Sequence, residues 1–346
     1  MPTLLFRHVL SLSASWLRRL RVESGAAAVL FAATLLPIVG ISSLSVDVAN
    51  VFLDRREQQN AVDAASLAAA SYLPTTSTSV LNSATSAAIE FAAANGVTIS
   101  ASDVTYSTSS QRFDVVTVRS ERTVPFFFAG AMGITSGAVS SRGASQLGSL
   151  VGMTGVMPWG LHQQTFNFSA PYCLKMGSNG NGADCNQQSS AGDFGPIDID
   201  NNGSASGNLY QGLIITGSQT EVLVGQVKGT VSGNKQGPTE SALGCSNNSN
   251  GRLTGNTQTF TDVLRANADG VTYTVLDWSS PRLVIIPVIQ TVGNNLIQIK
   301  GLVVFFITEC GQNGSVIGQF IDTVVPGGRW GVYQPGFGTR AIRMIE

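Results

Sequence analysis

The longest uninterrupted apolar run lies near the start of the chain. From Ser24 to Val46 there is no charged residue, and Glu23 and Asp47 bracket the run. In a helix rising about 1.5 Å per residue, some 20 apolar residues cross a hydrocarbon core of roughly 30 Å. Ser24, Thr34, Ser42, Ser43 and Ser45 are tolerable there because their hydroxyls can bond back to helix carbonyls, and Pro37 predicts a kink. The pattern predicts one transmembrane helix over 24–46. The nearest Ala-x-Ala site, Ala68–Ala70, lies well past the run and inside a helical pattern, which favours an uncleaved anchor over a signal peptide.

The helical pattern continues beyond the run. Val46 to Leu73 contains neither Gly nor Pro. Its middle, Asp54 to Asn60, is polar all round and is expected in solvent or among lipid headgroups. Its end, Ala61 to Ala70, is alanine-rich, which permits close packing. A turn at 74–79 offers Ser or Thr as a cap, and a second helix is predicted over Val80–Ala94, stopped by Asn95-Gly96. The period then changes to that of strands, at 97–107 and 112–124. PFFFAGAMGI (125–134) reads as a short apolar helix docked on that sheet with Phe126–Phe128 in the core, a membrane-dipping role being the alternative, and 137–147 reads as a further strand.

Past Val151 the composition shifts to Gly- and Asn-rich loops (177–208 and 229–258) separated by strand-like runs. These runs are LYQGLIITG, EVLVGQV, GVTYTVLDW, RLVIIPVIQTV, LIQIKGLVVFFIT and VIGQFIDTVV; no helix is expected among them. Leu302–Ile307 is too short to cross a membrane. The expected fold class is α+β: a cytoplasmic basic leader (1–23), a transmembrane helix (24–46), a small pilin-like helix-plus-sheet module (47–148) and a β-rich extracytoplasmic domain (150–346).

Charge sets the expected orientation. Arg7, Arg18, Arg19 and Arg21 precede the span, whereas Asp47 and Asp54 follow it before any basic residue. The positive-inside rule puts the N-terminus in the cytoplasm and the bulk of the chain outside. Charged residues make up only 12% of the chain and the net charge is −1, so no basic footprint for nucleic acid exists. Cys173, Cys185, Cys245 and Cys310 all lie on the outer side of the span, where disulfides persist. Four cysteines allow three connectivities. Cys173 and Cys185 flank a short Gly/Asn-rich loop, which favours pairing them and leaves Cys245 for Cys310.

Catalytic chemistry finds little support. His162 is the one histidine after the span, and neither GxSxG nor HExxH occurs. Asp198, Asp200 and Asn202, followed by Gly203, open like a calcium loop, but Leu209 stands where the closing bidentate Glu belongs. An Asx-rich turn explains the same residues. DWSSP at 277–281 puts Pro281 in the last ligand position of a D-x-S-x-S site, and GSNGNG at 177–182 lacks the strand, helix and Lys-Ser/Thr of a phosphate loop. No catalytic residue, cofactor or small-molecule substrate is expected.

The N-terminal stretch resembles the TadE/TadG-like proteins of the bacterial Flp (tight-adherence) pilus-assembly system. Glu23-Ser24-Gly25-Ala26, Pro37 and Val46-Asp47-Val48 carry part of the likeness. The rest lies in Gln59-Asn60-Ala61-Val62-Asp63-Ala64-Ala65-Ser66-Leu67-Ala68-Ala69-Ala70, similar to a Q-N-A-A-D-A-A-A-L-A-A-A signature. The related prepilins carry a Glu five residues after their processing glycine, where this chain has Leu30. Peptidase processing and subunit polymerisation are therefore not carried over, and neither is the metal-dependent adhesion domain of some longer members. The resemblance implies a non-enzymatic anchor supporting assembly of a pilus, with the lipid bilayer and pilus or secretion-system subunits as partners. Asp47, Gln59, Asn60 and Asp63 are the candidate contacts on the helix, since Asp47 and Asp63 each need a partner that another subunit would supply. The alternative is an anchored surface adhesin whose β-rich domain binds a ligand.

Overall fold

The computed structural model describes residues 5–175, 194–201, 207–231, 233, 235–245, 250–267, 269–311 and 314–345. One helix, α1 (Leu5–Ala70), runs unbroken through Pro37. It is long and apolar enough to cross a membrane, and the side chains of its most apolar stretch are not covered by the rest of the chain. Thr34, Ser43 and Ser45 donate to the carbonyls of Leu30, Val39 and Ile41 at 3.1, 2.6 and 2.9 Å, so their hydroxyls are satisfied inside the helix.

A second helix, α2 (Thr78–Ala94), packs Ala84, Ala88 and Ala92 against Ala61, Ala65 and Ala69 of α1. Small side chains at this spacing let two helices approach closely. Gly96 follows at φ +82, the left-handed position that ends the helix. Strands β1 (Val104–Ser107), β2 (Val115–Pro125) and β3 (Ser136–Met153) form an antiparallel sheet beneath α1, with β2 and β3 in register from Val115↔Gln146 to Pro125↔Ser136.

The second half begins with β4 (Trp159–His162), β5 (Pro171–Lys175) and β6 (Phe194–Asp198). Helix α3 (Gly207–Thr216) follows, where LYQGLIITG reads as a strand by composition. Its buried residues, Tyr210, Leu213 and Ile214, fall at i, i+3 and i+4, so the helical period decides over the β-branched isoleucines. EVLVGQV splits into β7 (Val222–Leu223) and β8 (Val227–Thr230). Two more helices correct the all-strand expectation: α4 (Gln236–Leu243), closed by Gly244 at φ +78, and the single turn α5 (Phe260–Val263).

Next come β9 (Leu264–Ala266), β10 (Tyr273–Val275), the long hairpin β11 (Leu283–Gly293) and β12 (Leu296–Cys310), and β13 (Val316–Ile321). Strands β11, β4, β6, β8 and β12 pair in that order, and β12 pairs back to β11, closing the sheet on itself. Alternate residues of β12 serve two cores: Leu302, Val304 and Phe306 on one face, Val303, Phe305 and Ile307 on the other. Burial on both faces explains the continuous apolar run.

The chain then returns to the first sheet with β14 (Thr323–Val324), β15 (Arg329–Gly331) and β16 (Thr339–Met344). β16 lies antiparallel to β3 from Arg340↔Ser149 to Met344↔Ser145. The boundary expected at 148–150 thus falls inside β3, whose first part belongs to the helix module and whose last part holds β7, β15 and β16. Cys245 and Cys310 are joined, with Cα atoms 5.4 Å apart. Cys173 is also disulfide-bonded, while Cys185 lies outside the described residues.

Candidate functional site

The segment of α1 from Asp47 to Ala70 has a covered face and an open one. Gln58, Ala61, Val62, Ala65, Ser66 and Ala69 are buried on β2, β3 and α2, at the helical spacing i, i+3, i+4, i+7, i+8 and i+11. Polar pairs hold the helix in register on the sheet. Ser66 and Ser145 share a hydrogen bond of 2.7 Å, Ser120 donates to Gln58 Oε1 at 3.1 Å, and Gln59 Nε2 donates to the Arg142 carbonyl at 2.9 Å. Arg122 pairs with Asp54 at 2.8 Å and donates to the Gly96 carbonyl at 2.9 Å. The polar stretch 54–60, expected to stand wholly in solvent or headgroups, does not: Gln58 is fully buried, because Asp54 and Ser120 satisfy its amide.

Asp47 finds its partners within the chain. Although the helix around it is open, Asp47 is only 3% exposed. Its carboxylate accepts from the backbone N–H groups of Phe127 (2.8 Å), Phe128 (3.0 Å) and Ala129 (2.7 Å). The expected partner from another subunit is supplied instead by the β2–β3 connection. That connection is a single 3-10 turn, Ala129–Met132, rather than an apolar helix docked on the sheet. With the N–H groups of Phe127 and Phe128 turned to Asp47, these two rings face out, 71% and 47% exposed, and only Phe126 is half-buried, its ring lying over Gly137.

Asp63 lies at the edge of the contact, accepting from Gln59 Nε2 at 2.8 Å. Burial raises its carboxyl above the usual range, and the Gln59 bond offsets only part of this. Asn60 is exposed, and Leu67, two turns on, is exposed on the same side. Asn60 and Leu67 therefore mark the open face of α1. Beside it a polar groove of about 600 Å³ is lined by Arg55, Gln59, Asp103, Arg119, Glu121 and Arg142.

The other candidates lie elsewhere. Asp200 accepts from Gln219 N–H at 3.0 Å and from Thr220 Oγ1 at 2.7 Å, tying its turn to the segment that follows α3. Asp198 ends β6, and Asn202 lies outside the described residues. His162 borders a shallow cleft with Gln163, Gln164 and Ile289. Among the described residues, no group of three or more His, Cys, Asp or Glu side chains could hold a metal ion. A cleft of about 390 Å³ with no counterpart among the sequence motifs opens between the end of α1, α2 and the second half, lined by Tyr72, Phe91, Arg265, Tyr273, Trp278 and Arg340. Its walls come from segments some 200 residues apart, so no local pattern could announce it.

One helix long and apolar enough to cross a membrane thus continues into a segment that packs on a sheet and keeps one face open. Residues 25–71 match the family described as "Putative Flp pilus-assembly TadE/G-like", which covers the apolar stretch and the whole of the exposed-face segment. No curated protein and no solved structure matches the chain.

Proposed function

We propose that this chain is a membrane-anchored, non-enzymatic component that supports assembly or anchoring of a Flp/Tad-type pilus at the bacterial cell envelope. The observation that carries the reading is the coincidence of two boundaries. The family match over 25–71 ends with the helix, and within that stretch lie both the uncovered apolar run and the Asn60–Leu67 face. The apolar run holds the protein in the bilayer with the N-terminus inside. The rigid continuation of the same helix carries the partner-facing surface outside, and the β-rich half braces it. No step of this mechanism needs a nucleophile or a metal.

The test is genetic. In cells that carry the gene natively, its deletion should abolish surface pili seen by electron microscopy, and the full chain supplied in trans should restore them. Normal pili in the deletion strain would overturn the proposal. The aromatic cleft favours a second reading, an anchored ligand-binding protein, and that reading alone would survive such a result.

A further inference from the structure

The β2–β3 connection is built as a rigid apolar tip. Phe126 N–H donates to the Thr135 carbonyl at 2.9 Å, closing its neck, and Ile134 N–H donates to the Ala129 carbonyl at 3.1 Å. The three bonds to Asp47 then clamp the tip to α1. Its sequence from 126 to 135 carries no charge, and Phe127, Phe128 and Ile134 are exposed.

The level of this tip along α1 is informative. Past Asp47 the helix still exposes Val48, Phe52 and Leu53, and only then come Asp54, Arg55 and Arg56. Between Gly25 and Leu53 the one ionisable side chain is Asp47, and the tip covers it. That stretch is about 43 Å long at about 1.5 Å per residue, beyond a hydrocarbon core of ~30 Å but matched to the ~40–45 Å that includes both interfacial layers. Asp47 lies about 9 Å short of Leu53 along the axis. Interfacial elements bury their apolar faces by a similar depth, about 5–10 Å.

We propose that the 126–134 tip is a second membrane contact, with Phe127, Phe128 and Ile134 buried at the acyl–headgroup boundary of the leaflet from which α1 emerges. The inference rests on the anchored reading above. Asp47 then has a defined role, fixing the tip at the right depth while the tip shields its charge from lipid. Two contacts held rigidly together prevent the sheet from swivelling about a single helix, so the Asn60 face keeps one orientation over the membrane.

The experiment uses the full chain reconstituted into vesicles of phosphatidylcholine and phosphatidylglycerol. A photoreactive benzophenone amino acid is placed singly at Phe31, Phe127 or Phe91, and lipid adducts are measured by mass spectrometry. Phe31 reports the span, Phe127 the tip, and Phe91 an exposed aromatic on α2. Retention of the Cys245–Cys310 disulfide verifies that each variant has folded. Strong adducts at 31 and 127 with none at 91 support the proposal. Adducts at 31 alone, or equal yields at 127 and 91, overturn the tip contact and leave the anchor standing. Absence of adducts at 31 overturns the anchored reading itself.

Discussion

Carboxylates set within packed protein persist only when their lone pairs are occupied, and this chain shows two ways of meeting that demand. Asp47 takes backbone N–H groups from a distant connection, so its pairing is tertiary. Asp114, fully buried, instead organises its own turn: it accepts from the N–H groups of Ser109 and Ser110, the Ser110 hydroxyl and Gln146 Nε2. Burial alone would raise the Asp114 carboxyl, but these donors outweigh it and hold it down to about 2, against an ordinary value of 3.8. A depressed folded value means the stabilisation is fully present above pH ~4 and is lost as pH falls through about 2, on the order of 2 kcal/mol in all. Asp114→Asn should therefore lower the thermal midpoint at neutral pH, and the gap from the parent should narrow as pH falls from ~4 through ~2. A gap that stays constant across that range would show that the charge is not what the turn uses.

At the scale of elements, the organising contact is the crossing of α1 over β3. Gly143 makes it possible. A Cβ added there would stand 2.7 Å from Asp63 Oδ1 and 2.8 Å from the Val62 carbonyl, both inside contact distance. Gly143→Ala should cost about 1–3 kcal/mol through forced separation of helix and sheet. Gly195→Ala in β6, where a Cβ meets nothing within 4 Å, should change the midpoint far less. Equal midpoints for the two variants would refute the close-approach argument.

Helices α1 and α2 and the hairpin β11–β12 were legible because each carries a long run of one period. The short elements were not. LYQGLIITG carries β-forming residues on a helical spacing, and only burial of Tyr210, Leu213 and Ile214 selects the helix. The Phe126–Phe128 triplet reads as core by hydrophobicity, yet Asp47 turns the backbone of Phe127 and Phe128 inward and their rings outward. That bond joins residues 80 positions apart and leaves no local trace.

At the scale of the molecule, the two halves are joined through the end of the chain. Arg340 in β16 pairs with Asp322 at 2.9 Å and donates to the Ser71 and Leu73 carbonyls at 2.9 and 3.3 Å. The guanidinium thus binds carbonyls of the turn that follows α1. The turn after α1 is thereby tied to the β-rich half by Arg340 as well as through β3. Composition suggested a break near residue 150, since nothing in the Gly/Asn-rich half announces that 339–344 returns to the helix's own sheet. The Asn60 side of the candidate site was legible in the motif at 59–70, whereas the intramolecular engagement of Asp47 was not. The proposed function requires the open face of α1 to meet proteins of the pilus-assembly machinery. The most direct measurement is photo-crosslinking in intact cells from a benzophenone amino acid at Asn60, with Ala65 on the covered face as control. Adducts with proteins of the pilus-assembly machinery from position 60, and none from 65, are the expected result. Recovery of the chain without protein adducts from position 60, in cells that are assembling pili, would contradict it.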